Sequence, residues 1–354
     1  MTEKFRPEFN LQDVQPASDP VIENFFESLR KGEPIEITEE EMEKYGLRAV
    51  GPINEGHMKF NVQGPREFAG VQQKAKVFVD QYIENFIKDI NEKNLKDGKK
   101  QMEDWPKINI SSIRGLGSGD YEIVVREGEM GYGRVVAFKG EGLKKAYNAY
   151  AEEYSDSEAE KLSFEEFESL FMPNVPTVCT LIVTVDNNIF LTKRSPQRVG
   201  TYKESWHVPA GYIDVSDKDM AGRLSPFVTA RREIQEEVGL AEDQIDDVIC
   251  LGIARDQSCG NNEFLFVART GLRSDEIVDK NTTPDKRLLL HPKDIDGDIR
   301  PRKLVRSGKL STTLPALLRI EKIFGNDKRG EPGPELTVPT SKALFFLVDK
   351  KLKK

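Results

Sequence analysis

Residues 232–240 read REIQEEVGL, and the interpretation of the whole chain starts from this stretch. Glu233, Glu236 and Glu237 stand at positions i, i+3 and i+4, so an α-helix places their three carboxylates on one face. Gly239 follows this acidic run, and glycine most readily adopts the left-handed conformation found just beyond a helix end. The stretch therefore predicts the last turns of a helix with a strongly acidic face.

A crowded acidic face has two interpretations. Three carboxylates within about one turn repel one another unless a cation or an arginine lies among them. Oxygen ligands in this number suit Mg²⁺ or Mn²⁺, and Arg232 stands one turn before Glu236, where it can orient that side chain. The alternative is a solvated helix surface, which is common in a chain with 60 aspartate and glutamate residues.

The sequence around this helix resembles the Nudix hydrolases. Their motif reads G-x5-E-x7-R-E-U-x-E-E-x-G-U, where U is aliphatic, and residues 232–240 match its second part in full. Upstream, residues 191–195 (LTKRS), Gly200 and residues 206–211 (WHVPAG) resemble the strands and loop that approach the motif in this family. The resemblance covers residues 175–300.

The first part of the motif departs from the family pattern. Counting forward from Gly211 puts Asp217 where the family has glutamate, and 14 residues instead of seven then precede Arg232. Counting backward from Arg232 puts Leu224 there, and leucine cannot bind a metal. We therefore expect a seven-residue insertion over residues 218–224. Three carboxylates are candidates to replace the glutamate: Asp214, Asp217 and Asp219.

The resemblance implies a fold, a reaction and a metal. The implied fold is a Nudix-type α/β/α sandwich with a mixed sheet, and the reaction is hydrolysis of a nucleoside diphosphate linked to another group, NDP-X. Divalent Mg²⁺ or Mn²⁺ would neutralise the diphosphate and activate water. Arg232 would hold the glutamates in place, and Gly211 would let the backbone pass close to the metal and phosphates. The implied metal ligands are Glu233, Glu236, Glu237 and Asp217, with general base as the alternative role for Glu233.

Four further residues are candidates for contact with the substrate or for proton transfer. Lys193 and Arg194 leave a predicted hairpin where a phosphate could lie, although a solvated surface charge explains Lys193 equally well. Trp206 could stack on a nucleobase or pack beside a core strand. In this family a carboxylate on a later loop can serve as the base. Glu263 is that candidate here, and a surface glutamate at a loop end is the alternative.

The length and the changes in composition predict three segments. Residues 1–50 are expected to form an extended arm with one short helix, and residues 51–172 a small α+β domain of unknown role. Residues 173–354 are expected to form the Nudix-like domain with a C-terminal extension. Within the second segment the pattern predicts helices at 66–98 and 142–154 and strands at 108–113, 121–125 and 135–138. The glycines at 115–119 lack the spacing of a phosphate-binding loop and predict a hairpin turn.

The third segment is predicted to alternate strands with helices. Strands are expected at 177–185, 189–192, 206–208, 248–255 and 263–270, and the charged helix ends at Val238. After residue 300 we expect a helix at 311–324 and a last strand at 343–348. These last elements could cap the domain or complete the interface of a homodimer.

Composition excludes several classes of protein. A net charge of −8 argues against a protein that coats nucleic acid, so capped RNA is the one nucleic-acid substrate kept open. The apolar stretches are too short to cross a membrane, and the first residues lack an apolar signal core, so we expect a cytoplasmic protein.

Two rival functions share the implied fold. A catalytically altered nucleotide sensor is consistent with the changed first half of the motif, while the complete second half weighs against it. An isomerase of the isopentenyl-diphosphate type would need a catalytic cysteine motif, which we do not find. Among the substrates left open are nucleoside triphosphates, ADP-ribose, nucleotide sugars and dinucleoside polyphosphates.

Overall fold

The computed structural model describes residues 20–98, 101–117, 119–155, 161–185, 189–190, 192–193, 206–257, 259–273, 276–277 and 339–352. Eight α-helices lie in this part of the chain: α1 (Pro20–Arg30), α2 (Glu39–Lys44), α3 (Gly70–Lys96), α4 (Tyr132–Ala137), α5 (Gly142–Glu153), α6 (Phe164–Phe171), α7 (Pro226–Val238) and α8 (Pro339–Leu352). Its strands are β1 (Leu47–Ile53), β2 (Met58–Gln63), β3 (Pro106–Gly117), β4 (Asp120–Gly131), β5 (Pro176–Val183), β6 (Ile189–Phe190), β7 (Thr192–Lys193), β8 (Trp206–His207), β9 (Ala210–Tyr212), β10 (Asp247–Arg255) and β11 (Asn262–Arg269).

A mixed six-stranded sheet forms the centre of the molecule. Its strand order is β1-β10-β11-β5-β6, and β9 also pairs with β5. β5 and β11 run parallel, whereas the other pairs in this sheet are antiparallel. Every residue of β5 is buried, which fits a sequence (PTVCTLIV) that is apolar at most positions instead of alternating. A strand of this kind is covered on both faces.

Helices cover both faces of this sheet. On one face, Val178 and Phe266 pack against Phe227 and Ala230 of α7 in one apolar cluster. On the other face, Cys179 and Leu265 belong to a second cluster with residues of α1 and α8, among them Phe26 and Leu344. The alternation of side chains along β5 and β11 separates the two clusters. The expected α/β fold with a mixed sheet is confirmed.

The N-terminal half contributes an α+β region beside the large sheet. β3 and β4 form an antiparallel hairpin, and β2 lies parallel to β4. Gly117 pairs with Asp120, which confirms the hairpin turn predicted at residues 115–119. Ile108 and Val125 of this small sheet join the apolar cluster on the α7 side of the large sheet. The small sheet therefore lies on the same side as α7, where the acidic residues are.

The segment boundaries inferred from composition do not coincide with the packing. β1 (Leu47–Ile53) pairs with β10 inside the large sheet, so a boundary at residue 50 falls within a strand. α1 also packs on this sheet, with Phe25, Phe26 and Leu29 in the same cluster as α8. Residues 20–53 thus contribute a strand to the large sheet and a helix to the layer that covers it. The composition of this segment gave no sign of that contact.

Two secondary-structure predictions are wrong. Residues 135–138 were expected as a strand, but residues 132–137 form α4, with Val135 and Ala137 buried. Residues 343–348 were expected as a strand, but they lie in α8, where Leu344 and Val348 stand one helical turn apart and are both buried. Short apolar runs of this kind fit both the helical period and the strand period. Tertiary packing therefore determined that both segments are helical. The helix predicted at 311–324 lies outside the described residues.

No helix in the described ranges combines the length and the apolar character needed to cross a bilayer.

Candidate active site

The ends of α7 are set by its sequence. The Ser225 hydroxyl accepts a hydrogen bond from the Phe227 N–H, and Pro226 occupies the first turn, where its missing N–H costs nothing. Gly239 ends the helix in the left-handed region at φ +76°, as predicted. The expected apolar stripe is also confirmed, since these residues are all buried: Phe227, Ala230, Ile234 and Val238. This packing fixes the rotation of the helix about its axis.

Strand β9 passes over the acidic side of α7. The Ala210 N–H donates to Glu237 Oε2 at 3.1 Å. At Gly211, a Cβ atom would overlap the carboxylate of Glu233, so any larger residue would displace that side chain. The strand and the helix therefore meet through Glu233 and Glu237, one turn apart, and the absence of a side chain at Gly211 allows the contact.

Arg232 connects the charged residues of the site. Its guanidinium donates to both oxygens of Asp217, at 3.0 and 3.1 Å, in a bidentate pair. It also donates to Glu233 Oε1 at 2.7 Å and to Glu236 Oε2 at 3.2 Å. A further bond reaches the backbone carbonyl of Tyr212 at 3.0 Å and ties the arginine to β9. Burial alone would lower the pKa of Arg232, but the bonds to Asp217 and the charge of Glu233 raise it overall.

Asp217 is the aspartate that the structure brings to Arg232. It is 3% exposed, and its carboxylate also accepts from the Thr229 hydroxyl at 2.8 Å and the Asp214 N–H at 2.9 Å. Asp214 bonds instead to Ser216, and Asp219 pairs with Arg223. Four donors thus surround the two oxygens of Asp217. This arrangement favours a role in holding Arg232 over the metal-ligand role that the family motif implied.

The residues between Asp217 and α7 form a closed loop. Lys218 and Leu224 are joined by an antiparallel bridge, and the Ser225 N–H donates to the Asp217 carbonyl at 2.9 Å. The chain therefore returns, after residue 224, to the place that it left at residue 217. Without residues 218–224, seven residues would separate Asp217 from Arg232, which is the spacing of the family motif. This geometry supports the inferred insertion at these residues.

Glu233 and Glu236 differ in their exposure. The pKa of Glu233 is raised to about 7, chiefly by burial and also by the charges of Glu236 and Asp217, against the opposing effect of Arg232. The Glu236 side chain is 57% exposed and reaches solvent from the same helix face. Among the described residues, no three Asp, Glu, His or Cys side chains converge closely enough to hold a metal ion in this arrangement. Arg232 lies among the carboxylates instead.

Glu263 lies inside a strand and not on a loop. It is the second residue of β11, in line with the strand predicted at 263–270, and it is 8% exposed, so the loop and surface interpretations of this residue are both wrong. It pairs in register with Thr177 and lies on the face of the sheet that carries Cys179. The buried Cys179 thiol is hydrogen bonded to the Glu263 carboxylate; burial first, and then this carboxylate, raise the thiol pKa. Glu263 thus lies on the opposite face from α7.

The remaining predicted contacts are only partly described. Lys193 and Trp206 face each other in the pair formed by β7 and β8, and their side chains lie outside the described part of the structure. Arg194 lies entirely outside it.

One residue that sequence reasoning missed does reach the site. Lys107, at the start of β3, has its ammonium 4.5 Å from the centre of the Tyr212 ring. Nothing in the local sequence of Lys107 marks it, because the contact joins strands 105 positions apart.

One comparison with known proteins locates a match in the C-terminal half. Residues 173–306 match the model of the NUDIX domain. No curated protein matches the chain. The chain is similar to a solved structure from Deinococcus radiodurans (16% identity, covering 28% of this chain and 57% of that one, TM-score 0.21). It is also similar to a bifunctional NMN adenylyltransferase/ADP ribose pyrophosphatase from Francisella tularensis (21% identity, 36% and 33%, TM-score 0.20).

A NUDIX hydrolase from Nitrosomonas europaea is a further similar structure (20% identity, 35% of this chain and 99% of that one, TM-score 0.20). The chain thus spans about half of the first of these structures and a third of the second. The family match covers α7, β9 and the Arg232 network together. Residues 173–306 of this chain therefore match the NUDIX domain, as the resemblance of residues 175–300 to the Nudix hydrolases led us to expect.

Proposed function

We propose that this protein is a pyrophosphohydrolase that cleaves the diphosphate bond of a nucleoside diphosphate linked to another group. The observation that carries the proposal is the Arg232 network, in which one guanidinium bonds Asp217, Glu233 and Glu236 directly below β9. The NUDIX domain supports the reaction class. The nature of the linked group depends on contacts outside α7, where Lys193, Arg194 and Trp206 remain our candidates for binding the substrate.

We assign the cation to the glutamates of α7. Their hard oxygen atoms suit Mg²⁺ or Mn²⁺, and the raised pKa of Glu233 means that a positive charge beside it is stabilising. Glu236 and Glu237 are the first ligands in this assignment, with Glu233 as the third. When bound, a divalent ion would neutralise the diphosphate and lower the pKa of a bound water. Asp217 positions Arg232 in this scheme, because its oxygens are already occupied.

The side chains of the chain itself have three tasks in this proposal. Arg232 keeps Glu233 and Glu236 oriented, since it bonds both of them and the Tyr212 carbonyl. Gly211 leaves room for the Glu233 carboxylate beside the backbone. Glu233, with its pKa near 7, is suited to accept a proton from an attacking water at neutral pH, which is its alternative role.

A nucleotide sensor is the second candidate function. Arg232 occupies the centre of the acidic cluster, and three carboxylates do not converge among the described residues, which favours a site that binds without cleaving. Such a protein would bind a nucleotide diphosphate and turn over none. The hydrolase is preferred because all of the charged residues in the second half of the family motif are present.

A substrate screen tests the proposal. The full chain is incubated with Mg²⁺ or Mn²⁺ and with nucleoside triphosphates, ADP-ribose, nucleotide sugars, dinucleoside polyphosphates and capped RNA, and the products are separated by HPLC. We expect cleavage of at least one compound into a nucleoside monophosphate and a phosphorylated partner. Glu236→Gln and Glu237→Gln should each lower kcat about 100-fold or more. Glu242→Gln is the matched control, since this side chain is 84% exposed beyond the helix.

Each outcome of the screen has one meaning. Binding without turnover in the wild-type protein would favour the sensor over the hydrolase. Turnover that survives Glu236→Gln in full would remove this residue from the proposed metal ligands. Loss of turnover in Glu242→Gln would show that the substitutions act through folding and not through the site.

A further inference from the structure

The first residues of β3 lie beside the site although they belong to the N-terminal sheet. The Lys107 ammonium lies 4.5 Å from the centre of the Tyr212 ring and 5.9 Å from that of Tyr132. Tyr212 directly follows Gly211, and its carbonyl accepts the hydrogen bond from Arg232. One residue of β9 therefore separates Lys107 from the acidic network of α7.

Lys107 is a cation in a place that suits an anionic ligand. Burial, and also the charge of Arg232, lower the pKa of Lys107, whereas the charges of Asp214, Glu233 and Asp217 act in the opposite direction, so these carboxylates are within electrostatic range. Within the described ranges, however, it forms no ion pair with any of them, and its ammonium lies over two tyrosine rings. An ammonium held by aromatic rings keeps its hydrogen-bond donors available for phosphate oxygens.

An aromatic row leads from Lys107 to solvent. The Tyr132 and Tyr212 rings are 6.0 Å apart in a T-shaped contact, and the Trp105 ring is 6.5 Å from Tyr132. Trp105 is 53% exposed, and its indole N–H donates to Glu103 at 2.5 Å, which orients the ring. Its carbonyl also accepts from the Tyr132 N–H at 2.8 Å. A large exposed aromatic side chain one ring away from an ammonium is suited to stack on a planar anionic ligand.

We propose that the N-terminal region supplies an outer subsite for the nucleotide, in which Lys107 binds a substrate phosphate and Trp105 stacks on the base. This inference rests on the proposed function and identifies the part of the chain that would select a nucleotide. The acidic face of α7 repels a diphosphate, so a cation on the substrate side of β9 compensates part of that repulsion. Stacking on an indole tolerates any nucleobase, because every base has a π-face.

Two ligands that cannot be hydrolysed separate the roles of these residues. Binding of α,β-methylene-ADP and of methylenediphosphonate to the full chain is measured by isothermal titration calorimetry with Mg²⁺. We expect Lys107→Met to weaken the binding of both ligands about tenfold, because both carry the methylene analogue of the diphosphate group. Lys107→Arg should restore most of the affinity. Trp105→Ala should weaken only α,β-methylene-ADP, which alone has a base, and Lys88→Met on the exposed side of α3 should change neither.

Kinetics on the substrate found in the screen give a second readout. Lys107→Met should raise KM about tenfold and change kcat little, since the proposed contact forms in the bound substrate and persists in the transition state. Unchanged affinity and KM in Lys107→Met would overturn the proposal for Lys107. Equal weakening of both ligands by Trp105→Ala would overturn the stacking role. If the wild type binds neither ligand and cleaves nothing, the proposed function itself fails; if it cleaves substrate while both variants behave as wild type, only this subsite fails.

Discussion

Each face of the large sheet buries a glutamate, and the surroundings of the two glutamates differ. On the α7 face, Glu233 is bonded to Arg232, which also holds Asp217 and Glu236. On the opposite face, Glu263 is buried in an apolar layer beside the thiol of Cys179. One face thus concentrates charge around an arginine next to exposed Glu236, while the other buries Glu263 beside a thiol.

The comparison shows that burial alone does not identify a reactive carboxylate. Glu233 and Glu263 are 7% and 8% exposed, so their accessibility is nearly equal. The neighbours that the structure describes differ: Glu233 has an arginine, two further acidic residues and the Gly211 backbone in direct or electrostatic contact, whereas Glu263 has the Cys179 thiol. The chemistry that we propose follows from this environment. Three substitutions can break or sharpen the contrast.

The largest effect should come from the arginine that holds the α7 face together. Arg232→Ala leaves Asp217 and Glu233 buried without their shared partner, and breaking a buried pair in this way costs about 3–5 kcal/mol. Urea denaturation of the full chain measures this loss. Arg231→Ala is the matched control, because among the described residues this neighbouring arginine pairs with Glu242 alone, at 4.0 Å. Equal destabilisation by both substitutions would contradict the network.

A smaller effect should appear as a pH dependence of Glu233. Its pKa rises from 4.5 to about 7 on folding, so the folded state favours the protonated form and loses stability as the pH rises through this interval. The cost is absent below pH 4.5 and complete above pH 7. Glu233→Gln removes this cost, so the stability of the variant relative to wild type should increase by roughly 2–3 kcal/mol from pH 5 to pH 8.

Thermal or urea unfolding with EDTA at both pH values measures this difference for Glu233. The exposed variant Glu242→Gln serves as the control for the substitution itself. A relative stability of Glu233→Gln that falls between pH 5 and pH 8 would contradict the raised pKa.

The smallest effect on catalysis should come from the opposite face. Glu263→Gln keeps the size of the side chain, and we expect kcat/KM to change less than about threefold, because this carboxylate lies across the sheet from α7. The activity assay established by the substrate screen measures it beside Glu236→Gln. A loss in Glu263→Gln as large as that in Glu236→Gln would place a catalytic group on the Cys179 face and reverse our assignment.

The local sequence determined α7 almost completely. Ser225 and Gly239 set its ends, residues at helical spacing formed its buried stripe, and three glutamates at i, i+3 and i+4 came to one side. The family motif in residues 232–240 then identified the domain, which the match over residues 173–306 confirms. These features were predictable because they depend on neighbours within one or two helical turns. Over that distance the helical period determines which side chains lie on the same face.

The tertiary structure alone decided the partners of that helix. From the sequence, three aspartates could replace the missing glutamate. In the structure the loop closes at Lys218 and Leu224, and this closure places Asp217 beside Arg232. The pairing of β11 with β5 put Glu263 on the far face, and the strand β3 brought Lys107 to Tyr212. Sheet register and packing between distant segments set these contacts, and no local pattern in the sequence records them.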